Sequence, residues 1–474
     1  MLRNSIIIFF SCLIARLFFI IFFPTTGGDY EIYETVAENI LRGCGVSLSD
    51  PYGKDCIPHF GGNHGPGYDF FLAFVWFFFG KSGIAVRLTQ CVIYCCAVLY
   101  TMSAIKRLTK DDRISFYVGL VLSLSPLLIA WPRYLQTETL ALASVLFLIA
   151  ELINSYREKK IRILSLALAI TIATWIRLDN IFLCVPIAVA CFSLHGIKRG
   201  IFYGALVATL LSLSWGSWTI RNINVGLPSI LPSDMIMPDG SRSPLGYLSW
   251  TKTWITNEYE KPGALWGVNR KNYLNISIPE YAYKSDIEKM KVTKLIKALK
   301  ANDRKDFPKF IDDEFKNIAI NKRLKYPFEY WIINPLKRTF RMWTNPFSSF
   351  GWPNEIPSVG LSHEERLGAF KGNFVLLKKK IIEHPLQSAS KFFNALYRGI
   401  EYILFLICFF IAIKQKNSFM KYFSLCIFFY ILVRTLFFAI NANFETRYIL
   451  SCIPFIEVLV LLVFFQKYKR IKTP

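Results

Sequence analysis

The stretch MLRNSIIIFFSCLIARLFFIIFFPTTGGDYEIYETVAENILRGCG, Met1–Gly45, decides the fold. Its first half is an apolar run that ends at Phe23. No small-x-small cleavage site follows and Arg16 interrupts the run, so it reads as an uncleaved first membrane span rather than a signal peptide. Arg16 then becomes an intramembrane cation that should face the interior of a helix bundle. In the second half, Tyr33, Val36, Ala37, Ile40 and Leu41 recur at helical spacing, with Glu31, Glu34 and Glu38 on the other side. This is an interfacial helix ended by Gly43 and Gly45, with Asp29 at its first turn, where helix N-termini favour anions. Taken by itself, Asp29 is an N-cap.

Similar apolar runs recur along the whole 474-residue chain, which is 53% hydrophobic and 16% aromatic. Many reach roughly 17 to 22 residues, enough to cross the hydrocarbon core of a bilayer. The expected fold is an all-α polytopic membrane protein of about ten spans, at 5–23, 84–105, 114–130, 138–156, 163–177, 180–195, 201–218, 399–413, 421–440 and 449–466. The net charge of +23 does not indicate nucleic-acid binding. The cations sit in short connections, KRLTKDDR, REKKIR, Lys198–Arg199, Lys414–Lys421 and the tail QKYKRIK, as the positive-inside bias predicts for cytoplasmic loops. The N-terminus is then inside, and the loop 24–83 is external. Pro66–Gly80 is apolar but short, and reads as a second interfacial helix within that loop.

Three units follow: an N-terminal membrane module (1–218), an external insertion (219–398) and C-terminal spans (399–474). The insertion opens on a proline- and glycine-rich loop and continues as amphipathic helices broken at prolines, a cap on the outer face. It holds no nucleotide-binding glycine loop, CxxC or HExxH. Of the 11 cysteines, Cys44 and Cys56 share the first external loop. They read either as a disulfide, if that side is oxidising, or as two free thiols.

The outer ends of the spans collect polar residues: Asp29, His64 in NHGPGY, Arg133 and Glu138 in WPRYLQTE, Arg177 and Asp179 in WIRLDN, Arg221 in WTIRN, and Glu445 and Arg447 in FETRY. Each is an ordinary interfacial residue when taken alone. Their gathering on one side matters because charge at membrane depth is costly unless paired or used. A carboxylate acts as a general base on a hydroxyl, and arginines stabilise a leaving phosphate. Together they suit transfer of a sugar from a lipid-linked phosphate donor.

In order along the chain, GDYEIYETVAENILRG, HGPGYDFFLAFVWFFFG with GIAVRLTQ, PRYLQTETLAL, WIRLDN, SWTIRNINVG and RYILSCIPF resemble motifs of the GT-C type glycosyltransferases that use polyprenyl-phosphate sugars. That group includes protein O-mannosyltransferases, the lipid A aminoarabinose transferase and bacterial relatives. Two departures stand out. Asp29 is followed by Tyr30 where many relatives carry Asp-Glu, and His64 stands where some carry lysine. The resemblance implies a GT-C-like bundle acting on a polyprenyl-phosphate-linked sugar and a lipid, glycan or protein acceptor, without nucleic acid. Asp29 would be the catalytic base of an inverting transfer, and Glu138 a second acidic residue in the cavity. His64, Arg133, Arg221 and Arg447 would contact donor phosphate or substrate, together with Tyr33, while Arg177 with Asp179 would be a structural ion pair. A divalent cation is compatible with the resemblance, since relatives differ, and no cofactor is otherwise implied. The expected location is the bacterial inner membrane with a periplasmic active face. A flippase for lipid-linked glycans and a GT-C-like glycan ligase or polymerase are the alternatives. Against a flippase, internal repeats and spans broken at the midplane are missing.

Overall fold

The computed structural model describes residues 2–50, 55–59, 65–227, 243–257, 260–269, 271–345, 351–353, 378 and 381–468. Among these, regular structure is helical apart from one isolated antiparallel bridge, Ser47 to Pro58. Seven helices are long and apolar enough to cross a membrane, as an all-α polytopic membrane protein requires.

Helices α1 (Leu2–Phe22), α4 (Gly83–Thr109), α5 (Asp112–Leu124), α6 (Glu138–Glu158), α7 (Ile163–Ile176) and α8 (Cys184–Asn224) form the N-terminal bundle. Helix α6 is its centre, buried along nearly its whole length between α4, α7 and α8. Gly196 takes φ 72°, a left-handed conformation that L side chains resist, and breaks α8 into two arms. The expected spans 180–195 and 201–218 correspond to those arms. Helix α5 stops earlier than hydropathy suggests. The expected span 114–130 is cut at Ser125–Pro126, because proline supplies no backbone N–H and disfavours helix at the residue before it.

Helices α2 (Tyr30–Leu41) and α3 (Gly67–Phe79) pack on each other at one end of the bundle. At 13 residues, α3 is too short to span, in line with the interfacial reading. Tyr33 and Ala37 of α2 meet Tyr68, Leu72, Ala73 and Trp76 of α3 in a small core of their own. A disulfide joins Cys44 to Cys56 and closes the loop after α2.

The insertion contributes α9 (Leu245–Thr251), α10 (Asp286–Lys300), α11 (Lys309–Lys325) and α12 (Asn334–Thr344). Gly246 lies so close to α11 that a Cβ there would come 1.9 Å from the Asp312 carbonyl oxygen. Helix α12 docks on the helix Ser418–Ile440 through Arg338, which donates to Ala439 O at 3.0 Å, Ile255 O at 2.8 Å and Lys252 O at 2.6 Å. The remaining helices, α13 (Pro385–Lys414), α14 (Ser418–Ile440) and α15 (Ile453–Tyr468), close the bundle against α5 and α8.

Candidate active site

The site forms where four separate segments are laid against each other at the α2 end of the bundle. Backbone pairing sets the first two. Thr25 N donates to Arg133 O at 3.1 Å and Leu135 N to Thr26 O at 3.2 Å. Arg87 ties the same segments, donating to Arg133 O at 2.8 Å and Thr25 O at 2.9 Å. Asp29 is thereby carried to the start of α6, where Glu138 stands in the first turn. The third segment enters through Gly65 and Gly67, which press on the backbone of Trp175. A Cβ on Gly65 would sit 2.6 Å from Trp175 O, and one on Gly67 2.7 Å from Trp175 C. This contact fixes the end of α7, from which Arg177 emerges. The fourth segment is the 3-10 turn Thr446–Cys452, which presents Arg447.

Asp29 occupies the N-cap position of α2, yet its side chain makes no capping hydrogen bond. The carboxylate instead meets Arg447, with Oδ2 3.6 Å from Nη1. Arg447 Nε lies 2.7 Å from Glu445 Oε2, and Glu445 Oε1 is 3.2 Å from Lys261 Nζ of the insertion. Burial works to raise the Glu445 pKa, but the Lys261 and Arg447 cations prevail and hold it below the usual carboxylate range.

Glu138 is buried. Its Oε1 accepts from Arg177 Nη1 at 2.7 Å, whereas Oε2, also buried, has no hydrogen-bond partner among the described residues. Arg177 also donates to Thr137 Oγ1 and Asp179 Oδ1, both at 3.0 Å. Asp179 pairs in turn with Arg434 of α14. The ion pair expected of Arg177 and Asp179 is therefore present, within a longer chain Glu138–Arg177–Asp179–Arg434. Buried ions require this kind of satisfaction, since an unpaired one costs several kcal/mol. Arg434 escaped sequence analysis. The one signal for it was a cation within the apolar run FFYILVRTLFF.

Tyr33 lies beneath the carboxylates. Burial pushes its phenol well above the usual range, and Asp29 and Glu138 act in the same direction. Its ring meets Tyr68 edge to face, with centroids 4.9 Å apart. Asp69, a second residue that sequence analysis passed over, is buried with Oδ1 unpartnered, and desolvation raises its pKa well above the usual range. Its first-turn place in the PGYD segment was the available clue.

The structure thus brings together Asp29, Tyr33, Glu138 and Arg447 of the expected site residues. Arg133 and Arg221 are occupied elsewhere. Arg133 is buried and donates to Phe23 O at 2.8 Å, Gly351 O at 3.1 Å and Tyr134 Oη at 2.8 Å. Arg221 donates to Val46 O at 2.9 Å and His59 O at 2.7 Å, clamping both strands of the disulfide loop. His64 lies outside the described residues. Among the described residues, no group of three or more His, Cys, Asp or Glu side chains gathers to hold a metal.

A bundle of apolar helices with carboxylates and arginines crowded at one end defines a class, an integral membrane protein with an ionic site at the mouth of its bundle. Comparison adds the chemistry. Residues 63–218 match the family model described as dolichyl-phosphate-mannose-protein mannosyltransferase, a family of the GT-C type. The match supports a membrane glycosyltransferase of that type, and covers Glu138 and Arg177 but not Asp29 or Arg447. No curated protein and no solved structure matches significantly.

Proposed function

We propose that the protein moves a sugar from a polyprenyl-phosphate donor to a hydroxyl of a lipid, glycan or protein acceptor, with Asp29 as general base. One observation carries this reading: Asp29, with no capping bond to make, faces Arg447 at 3.6 Å beside buried Glu138. An Asp29 oxygen takes the acceptor proton as the acceptor oxygen attacks the anomeric carbon. The bond from that carbon to the phosphate oxygen breaks, and polyprenyl phosphate leaves with its negative charge. Attack opposite the leaving group inverts the configuration.

Arg447 is the cation best placed to meet the leaving phosphate, since an arginine between carboxylates can exchange one anion for another. The unpartnered Oε2 of Glu138 suits a hydroxyl of the sugar or acceptor. Tyr33 forms the floor beneath both carboxylates, and His64 remains a donor contact by resemblance alone. For Arg133 and Arg221 we assign a positioning role, holding the 25–29 segment and the 46–59 loop in place. The cationic loops at the opposite end of the helices support an extracytoplasmic site, in the inner membrane if the source is bacterial.

The test is reconstitution. Purified protein in liposomes, given a polyprenyl-phosphate-linked sugar and an alcohol acceptor, should release polyprenyl phosphate in step with glycoside formed. Transbilayer movement of the donor without cleavage would favour the flippase reading instead.

A further inference from the structure

Away from the Asp29 site, α13 and α15 bury two carboxylates against each other's helices. Glu401 is 6% exposed and Glu457 2% exposed, and among the described residues none of their four oxygens has a partner in hydrogen-bond geometry, the Ser125 hydroxyl lying beside Glu457 without reaching it. The two groups feel each other electrostatically. A third buried acceptor without a donor lies two turns earlier on α13. Asn394, 1% exposed, donates through Nδ2 to Pro126 O at 3.1 Å, while its Oδ1 is buried without a donor. Asn394, Tyr397 and Glu401 follow one another at helical spacing along one face of α13. The Ser125 hydroxyl, next to Pro126, lies beside both Tyr397 and Glu457.

The surrounding charges give the stoichiometry. Arg16 of α1 acts on Glu457 and is fully buried. It hydrogen-bonds only neutral acceptors: Ser123 O at 2.6 Å, Cys12 O at 3.3 Å, Cys12 Sγ at 3.0 Å and Leu122 O at 3.5 Å. The guanidinium also lies 3.9 Å from the Tyr94 ring centroid. The other titratable groups facing the cluster are Tyr94 of α4 and Tyr397 and Tyr402 of α13, with Arg398 and Cys452 beside Tyr402. Arg398 donates to Asn345 O of the insertion, and what acts on Glu401 is burial together with Glu457. With both carboxylates ionised, Arg16 balances only one of them. An uncompensated charge in the bundle interior costs several kcal/mol. One further monovalent positive charge brings the cluster to neutrality, while a divalent ion overshoots.

We propose that Glu401 and Glu457 form an intramembrane site for one exchangeable monovalent cation, either a proton shared by the two carboxyls or an alkali ion held by their oxygens. The site is independent of the transferase reading.

Two measurements on the full-length protein in detergent test it. Dicyclohexylcarbodiimide adds to protonated buried carboxyls, and mass spectrometry locates the adduct. In sodium-free choline buffer, labelling should total one adduct per chain, on Glu401 or Glu457, and should decline as pH rises. Added sodium chloride that suppresses labelling at fixed pH identifies an alkali ion as the occupant, and no effect identifies the proton. Two adducts per chain, or none at any pH, would overturn the proposal. The second measurement is thermal unfolding. Glu401→Gln or Glu457→Gln mimics the neutral member and should melt within about 3 °C of wild type, whereas the double variant strands Arg16 and should melt at least about 5 °C lower. A double variant as stable as the single ones would also overturn it.

Discussion

Arg447 stands between two carboxylates, with Nη1 3.6 Å from Asp29 and Nε 2.7 Å from Glu445. The longer contact is the one to Asp29, and the shorter one is backed by Lys261. The geometry is that of a cation anchored on one side and open to exchange on the other. Arg447→Lys keeps the charge but loses the planar fork that holds both anions. In a transfer assay it should raise the KM for the polyprenyl-phosphate donor more than it lowers turnover. Equal KM values in variant and wild type would remove Arg447 from donor binding.

Arg177 has a different weight. It is buried and satisfies Glu138, Thr137 and Asp179 together. Arg177→Ala leaves two carboxylates short of a partner, and should cost about 3–5 kcal/mol of stability. Glu138→Gln keeps an acceptor oxygen for Arg177 and should cost clearly less while still impairing transfer. Thermal unfolding of both variants in one detergent makes the comparison.

The 46–59 loop gives a pH dependence. Burial, aided by the nearby Arg221 cation, lowers the His59 pKa to about 4 from an ordinary value near 6.5. Between those values the unfolded chain binds a proton that the folded chain does not, so stability falls as pH falls. The loss should be about 1.5 kcal/mol between pH 6.5 and 5, and the His59 contribution should be nearly flat above pH 7. Unfolding of wild type and His59→Gln at several pH values reads it, the variant lacking this component.

Gly67→Ala tests how the PGY segment sets the site. The added methyl would meet the Trp175 backbone at 2.7 Å, just before Arg177. Overpacking of this kind costs about 1–3 kcal/mol. The variant should lose activity along with stability, because the backbone that must move carries Arg177. Activity unchanged in a destabilised Gly67→Ala would show that the segment does not position the site.

Much of this was legible in the sequence, for reasons that also explain what was not. Apolar runs between cationic turns give the helices, because a backbone in lipid has to satisfy its own hydrogen bonds. The break at Ser125–Pro126 was missed because hydropathy ignores the missing proline donor. Asp29, Tyr33, Glu138 and Arg447 were found through ordered motifs at the ends of spans. Arg133 and Arg221 carry equally good motif signals, yet their guanidinium groups turn onto backbone carbonyls. Residue type and depth do not say where five N–H donors point. Arg434 lay inside an apolar run with no neighbouring motif and Asp69 within the PGYD motif at a place that signals nothing by itself, so burial brings both out, with a partner for Arg434 and an unpartnered oxygen for Asp69.

The proton-abstracting role of Asp29 is tested most directly by single-turnover sugar transfer with purified Asp29→Asn in liposomes, beside its unfolding curve. The account predicts a rate at least about 100-fold below wild type with an unchanged melting temperature. Transfer at the wild-type rate by the folded variant would contradict it.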